Sequence, residues 1–234
     1  MYSMRIPAVL AALSLALIPL GAAALEAPDT LRANWGVLVE SLLNPALGGN
    51  VSSPSVNFNL GAGVDLAFSP GSRFSFEPSA DIYFYNSEVY GGQPVPTDET
   101  FSSTFTIGAL LNAPVMYSVP INSKVVFSAG AGLCLDLRFA LPSGGLAPDA
   151  ASQSNTYYWG EGRFLTPSTT LRVEYALTDR LGCGISGRVL WPIYNLWTGE
   201  GYGFFDQGKY LLDVVLRYRL KPAPAASPAP ATAP

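Results

Sequence analysis

The chain has 234 residues, of which 49% are hydrophobic and only 13% charged, with a net charge of −4 and no histidine. A soluble domain carries about 25% charged residues, so this composition argues against an ordinary soluble surface. The acidic balance, with no basic stripe, argues against nucleic acid as a partner. No apolar run of about 20 residues follows the N-terminal segment, which argues against helical membrane spans.

Residues 1–24 read as a secretory signal peptide. Arg5 supplies the positive end, Ile6 to Leu20 the apolar stretch, and Ala22-Ala23-Ala24 the small-residue cleavage site. Residues 25–220 then alternate with period two, the signature of strands with one apolar face. A weaker run opens the set at Asn34–Leu43. In Val56–Leu66 every second residue is apolar, with polar residues or glycine between. In the next run Phe74, Phe76, Pro78, Ala80, Ile82 and Phe84 share one face, and Ser75, Glu77, Ser79, Asp81 and Tyr83 the other. Similar runs follow at Phe101–Tyr117, Lys124–Arg138, Phe164–Leu177, Leu181–Tyr194 and Lys209–Leu220.

Short turns at Ser69–Ser72, Pro120–Ser123 and Thr178–Arg180 alternate with longer loops at Asn44–Pro54, Asn86–Thr100, Ala140–Gly162 and Asn195–Gly208. That alternation predicts an all-β, transmembrane up-and-down antiparallel barrel of about eight strands, with short periplasmic turns and long extracellular loops. Residues 221–234 are almost wholly Pro, Ala, Ser and Thr and read as a disordered periplasmic tail. The predicted localisation is the outer membrane, with lipid as the surrounding partner.

A soluble barrel would also alternate, but with its apolar face inward. Three features place lipid outside. The runs exceed the roughly 5–6 residues typical of soluble strands. Glycines (Gly61, Gly63, Gly108, Gly130, Gly132, Gly182, Gly184) gather on the polar face, where a narrow lumen needs room. Aromatic residues form two girdles, with Trp35, Tyr117, Tyr175 and Tyr218 at the periplasmic rim and Phe84, Phe101, Phe139, Trp191 and Tyr210 at the outer rim.

The lumen is then lined by Glu40, Asp65, Glu77, Asp81, Asp136, Glu174 and Asp213 with Arg138, Arg172, Arg188, Arg217 and Arg219. Opposite charges in comparable number predict carboxylate–guanidinium pairs that fill the interior; a gated ion path along the same charges is the alternative. Cys134 and Cys183 fall on non-neighbouring strands with opposite faces, which disallows a disulfide.

The block Asn112-Ala113-Pro114-Val115-Met116-Tyr117, followed after a turn by Val126-Phe127-Ser128-Ala129-Gly130-Ala131-Gly132-Leu133, resembles the central hairpin of OmpW-type barrels. The hairpin from Asp65 through Phe84 is similar to its early counterpart. The resemblance implies a small outer-membrane barrel that takes up small hydrophobic molecules through a narrow lumen. The charged lumen and the ending at Tyr218-Arg219-Leu220 depart from that pattern.

Without histidine the chain lacks the usual general base and commonest metal ligand. Glu77 and Asp81, at i and i+4 on one strand face, read as lumen filling. No catalytic, cofactor or metal site is predicted. A monomeric channel or carrier for a small-molecule solute is the first expectation. The other is a closed barrel whose exposed loop aromatics (Tyr157, Tyr158, Trp159, Trp197, Tyr202, Phe204 and Phe205) bind a host or matrix protein; the alternative for the same side chains is that they extend the outer girdle or pack over the barrel mouth.

Overall fold

A computed structural model of the chain describes residues 28–40, 55–90, 93–97, 104–142, 148–198 and 207–220. The predicted signal peptide, the first loop, the Pro/Ala tail and the aromatics Phe101, Tyr202, Phe204 and Phe205 lie outside them. The wall consists of strands β1 (Thr30–Glu40), β2 (Ser55–Ala67), β3 (Phe74–Phe76), β4 (Ser79–Tyr90), β6 (Thr104–Pro120), β7 (Val125–Pro142), β8 (Leu165–Ala176), β9 (Leu181–Leu190) and β10 (Lys209–Arg219). A short β5 (Gln93–Thr97) pairs with the upper part of β4 alone, as a hairpin in the second loop.

Every pairing is antiparallel, and β10 returns to β1 in register from Thr30↔Arg219 to Glu40↔Lys209, which closes the sheet. Strands β3 and β4 both pair with β2 and with β6 and form one interrupted wall strand, so the ring has eight strands. Closure removes the sheet edge, and with it every unpaired backbone row that lipid could not satisfy.

Alternation sorts the side chains as a transmembrane barrel requires. Leu60, Ile82, Leu171, Ile185 and Leu212 are 50–60% exposed on the outside, whereas Asp81, Asp136 and Asp213 are at most 1% exposed inside. A ring of exposed Leu, Ile, Val and Phe is stable only against hydrocarbon. At the turn-side rim Tyr117, Tyr175 and Tyr218 face outward, the first two with a cation beside them. Arg73 donates to the Tyr117 hydroxyl at 3.3 Å, and the Lys124 ammonium lies 5.8 Å from the Tyr175 ring. Trp35 departs from the expected girdle. It pairs with Leu60 and Val214 in the middle of β1, because the strand begins at Thr30, four residues before the run at Asn34 read from the sequence.

The third loop departs as well. Residues Pro148–Trp159 form a helix, α1, anchored to the projecting top of β7. Asn155 bonds both backbone groups of Ala140, accepting from its N–H at 2.8 Å and donating to its carbonyl at 2.9 Å. The side chain thus stands in for a ladder partner. Cys134 faces the lumen and Cys183 sits two strands away on the outer face; both are free.

Glycine on the lumen face makes room for larger neighbours. A Cβ on Gly108 would lie 2.1 Å from Cζ of Tyr83, whose ring covers that glycine. Gly108→Leu is expected to displace Tyr83 and lower stability by about 1–3 kcal/mol, read from the urea midpoint of the refolded barrel. No change would mean that the ring moves freely.

Two prolines interrupt the ladder around the β3–β4 junction. Glu77 N–H donates to the Pro114 carbonyl at 2.9 Å and Val64 N–H to the Pro78 carbonyl at 3.1 Å. The reciprocal bonds are impossible because Pro114 and Pro78 have no N–H. The carbonyls left over are those of Glu77 and Val64, and the Arg32 guanidinium donates to both at 3.3 Å. One side chain repairs both gaps.

Candidate functional site: a filled lumen and its external cap

The inward side chains form three tiers. The lowest joins three arginines, Arg32, Arg172 and Arg217, to three carboxylates, Asp65, Glu77 and Glu174. Arg172 grips Glu77 with both terminal nitrogens, at 2.8 and 3.0 Å, and its Nε lies 3.2 Å from Glu174. Arg32 pairs with Asp65 and lies 3.4 Å from Glu77. Arg217 closes the ring, 3.2 Å from Asp65 and 3.5 Å from Glu174.

The middle tier has one cation between two carboxylates. Arg188 is 2.7 Å from Asp81 and 3.6 Å from Asp213. Amides supply the missing donors: Asn34 bonds Asp81, and Asn59 donates to Asp213 at 2.8 Å. The upper tier is balanced again, with Lys209 and Arg138 against Asp136 and Glu40. Tyr83 joins it, donating to Asp136 at 2.6 Å and accepting from Lys209 at 3.1 Å.

Buried charges persist only when paired and hydrogen-bonded, and pairing across the lumen crosslinks opposite walls. The remaining space is small. A void of about 20 Å³ between the lower and middle tiers is lined by Arg32, Asn34, Glu77, Arg172 and Arg188 among others; that is room for about one water. Among the described residues no group of three His, Cys, Asp or Glu is placed to hold a metal.

Above the upper tier the mouth is capped from outside. Tyr158 of α1 is 1% exposed and inserts downward. Its hydroxyl meets Tyr85 at 3.0 Å and Thr106 at 3.2 Å, and its ring lies 4.3 Å from the Arg138 guanidinium carbon. Burial raises the Tyr158 phenol above its ordinary value and holds it neutral. Beside it Gln207 donates to the Tyr157 hydroxyl at 2.8 Å and accepts from Tyr194 at 3.2 Å.

Of the two readings of the loop aromatics, exposure fails at Tyr158, which packs over the mouth as a plug. Tyr157 is half-buried beside it. Trp159 and Trp197 are 41% and 46% exposed. The Trp197 indole donates to the Glu161 carbonyl at 2.8 Å and ties the fourth loop to the third. Trp159 packs on Phe139 and Phe164 at the outer rim.

Eleven of the twelve residues read from the sequence as lumen-lining (Glu40, Asp65, Glu77, Asp81, Asp136, Arg138, Arg172, Glu174, Arg188, Asp213 and Arg217) lie in these tiers. Arg219 lies half-buried at the turn-side rim, in register with Thr30, and joins none of the described ion pairs. Lys209, Arg32, Asn34 and Asn59 were missed. Lys209 sat at the first position of its run, beside a loop. Arg32 preceded the run at Asn34, although it keeps the alternation with Leu31 and Ala33.

No family model matches the sequence, and neither does any curated protein. Solved structures do match by shape. The crystal structure of Neisserial surface protein A (NspA) aligns with a TM-score of 0.51 at 13% identity, covering 81% of this chain and 96% of that one. The outer-membrane enzyme PagL aligns at 0.42 and 9%, over 82% and 99%. Ail, the attachment invasion locus protein of Yersinia pestis, in complex with the heparin analogue sucrose octasulfate, aligns at 0.36 and 9%, over 82% and 100%. With the closed ring and its apolar outer band, the NspA match shows that this chain has the fold of the small outer-membrane β-barrels.

Proposed function

We propose that this protein is a monomeric outer-membrane barrel with a closed lumen that works at the cell surface, binding a host or matrix protein through its external loops. The observation that carries this reading is the filled interior: three tiers of paired charges under a tyrosine plug. Such a barrel is a rigid anchor that presents loops. Trp159, Trp197 and Leu196, the last 70% exposed, supply apolar anchors at the outer end. The reading includes export through residues 1–24 and assigns no catalytic step, since each tier engages its carboxylates with cations or amides.

The second reading is an OmpW-like narrow channel or carrier for small hydrophobic molecules. It keeps the support of the hairpin blocks, in which Gly130 and Gly132 lie in register with Met116 and Pro114. It also requires the tiers to part.

Planar-bilayer recordings of the refolded protein separate the two. The closed-lumen reading expects silence, with cell or matrix attachment reduced by Trp159→Ala/Trp197→Ala in an otherwise intact barrel. Discrete, reproducible openings would overturn it. Neutralising Arg138 or Asp136 is then expected to shift ion selectivity. Unchanged attachment by the double variant would reject these two aromatics as the binding surface.

A further inference from the structure

The outer wall is not evenly covered. Over β2, β4, β6 and β7 the outward residues Ala62, Ala80, Ala113 and Ala131 form the floor of an apolar depression of about 820 Å³, with Phe76 and Leu133 among its walls. That volume lies within the range of about 300–1,000 Å³ typical of small-molecule sites. It sits in the band where Leu, Ile and Phe elsewhere meet lipid, so hydrocarbon and not water is the solvent that must fill it.

The turn-side end of the depression is chemically different. Phe76 and Val115, which pair across β3 and β6, line it; two residues lower, Phe74 pairs with Tyr117. Their rings are 4.9 Å apart, and exposed Arg73 donates to the Tyr117 hydroxyl at 3.3 Å. Arg73 has no carboxylate partner among the described residues. An apolar trough therefore runs down the wall to a guanidinium with no carboxylate partner among the described residues and a hydroxyl at the periplasmic girdle, the depth at which the headgroups of the inner leaflet lie.

We propose that this is a binding site for one phospholipid of the periplasmic leaflet. An acyl chain occupies the depression, and the phosphate accepts hydrogen bonds from Arg73 and Tyr117. The polarity fits one orientation, with the headgroup at the turns and the chain pointing to the bilayer midplane. A guanidinium binds phosphate in bidentate geometry, and small outward residues let a chain approach the wall closely without altering the lumen.

The test is native mass spectrometry of the refolded protein released from nanodiscs of phosphatidylethanolamine and phosphatidylglycerol. The expected spectrum retains one phospholipid. Ala113→Phe fills the trough from the lipid side and is expected to abolish the adduct. Arg73→Gln, at an exposed position outside the wall, is expected to weaken retention about tenfold. Heat-modifiable gel migration confirms that each variant is folded. Equal retention by Arg73→Gln and the parent would overturn the proposal. So would a protein dimer in place of the lipid adduct, lost on Ala113→Phe, because the occupant would then be a second copy of the chain.

Discussion

Replacing Arg172 by Met is expected to lower the unfolding free energy by about 3–5 kcal/mol, the usual cost of removing one member of a buried ion pair. The reason lies in what remains. Glu77 would lose both short bonds to Arg172 and keep Arg32 at 3.4 Å and the Ser75 hydroxyl at 2.8 Å; Glu174 would keep only Arg217 at 3.5 Å. Two carboxylates would then share too few donors in a space that excludes water. Urea unfolding of the refolded barrel, followed by tryptophan fluorescence, measures the loss. The double variant Glu77→Gln/Arg172→Met is expected to recover much of it, because the uncompensated charge goes with the arginine. A loss below about 1 kcal/mol, the range of solvent-exposed pairs, would mean that water reaches the lower tier. Such a result would count against the closed lumen and favour a hydrated path.

Arg32→Met is expected to cost roughly 3 kcal/mol or more, through a different mechanism. The variant loses the pair with Asp65 and also leaves the carbonyls of Val64 and Glu77 without donors, each worth about 1–3 kcal/mol when buried. The cause can be isolated with a double-mutant cycle. In the Arg32→Met background, Pro78→Ala restores the N–H that faces the Val64 carbonyl, and Pro114→Ala restores the one facing Glu77. Each is expected to return about 1 kcal/mol there and much less in the parent, where Arg32 already serves both carbonyls. Equal effects in the two backgrounds would show that Arg32 stabilises the wall through charge alone.

These two cases also mark what could be read from the chain directly. That Glu77 and Arg172 face inward follows from parity, since a strand sends alternate side chains to opposite faces whatever its neighbours are. That they meet does not follow, for they stand 95 residues apart. The role of Arg32 was hidden more deeply. Pro78 and Pro114 are visible in the sequence as missing donors, but each belongs to a different strand, and the residue that compensates lies on a third. That Tyr158 is the ring that plugs the mouth was hidden for a similar reason. Its loop reads as external, and it is external, yet α1 turns this one ring back over Arg138 while its neighbour Trp159 packs at the outer rim.

Local pattern therefore decided the strands, their inner and outer faces, and the alternation of short turns with long loops that predicts an antiparallel ring. Each of these patterns depends only on residues a few positions apart, whereas closure itself joins β1 to β10 across the chain. The heights at which strands align around the ring decided the rest: the partners in each tier, the single cation between Asp81 and Asp213, the seam that Arg32 repairs and the plug at the mouth. Those heights are set by the stagger of ring closure, a property of all eight strands together, and no segment encodes it alone.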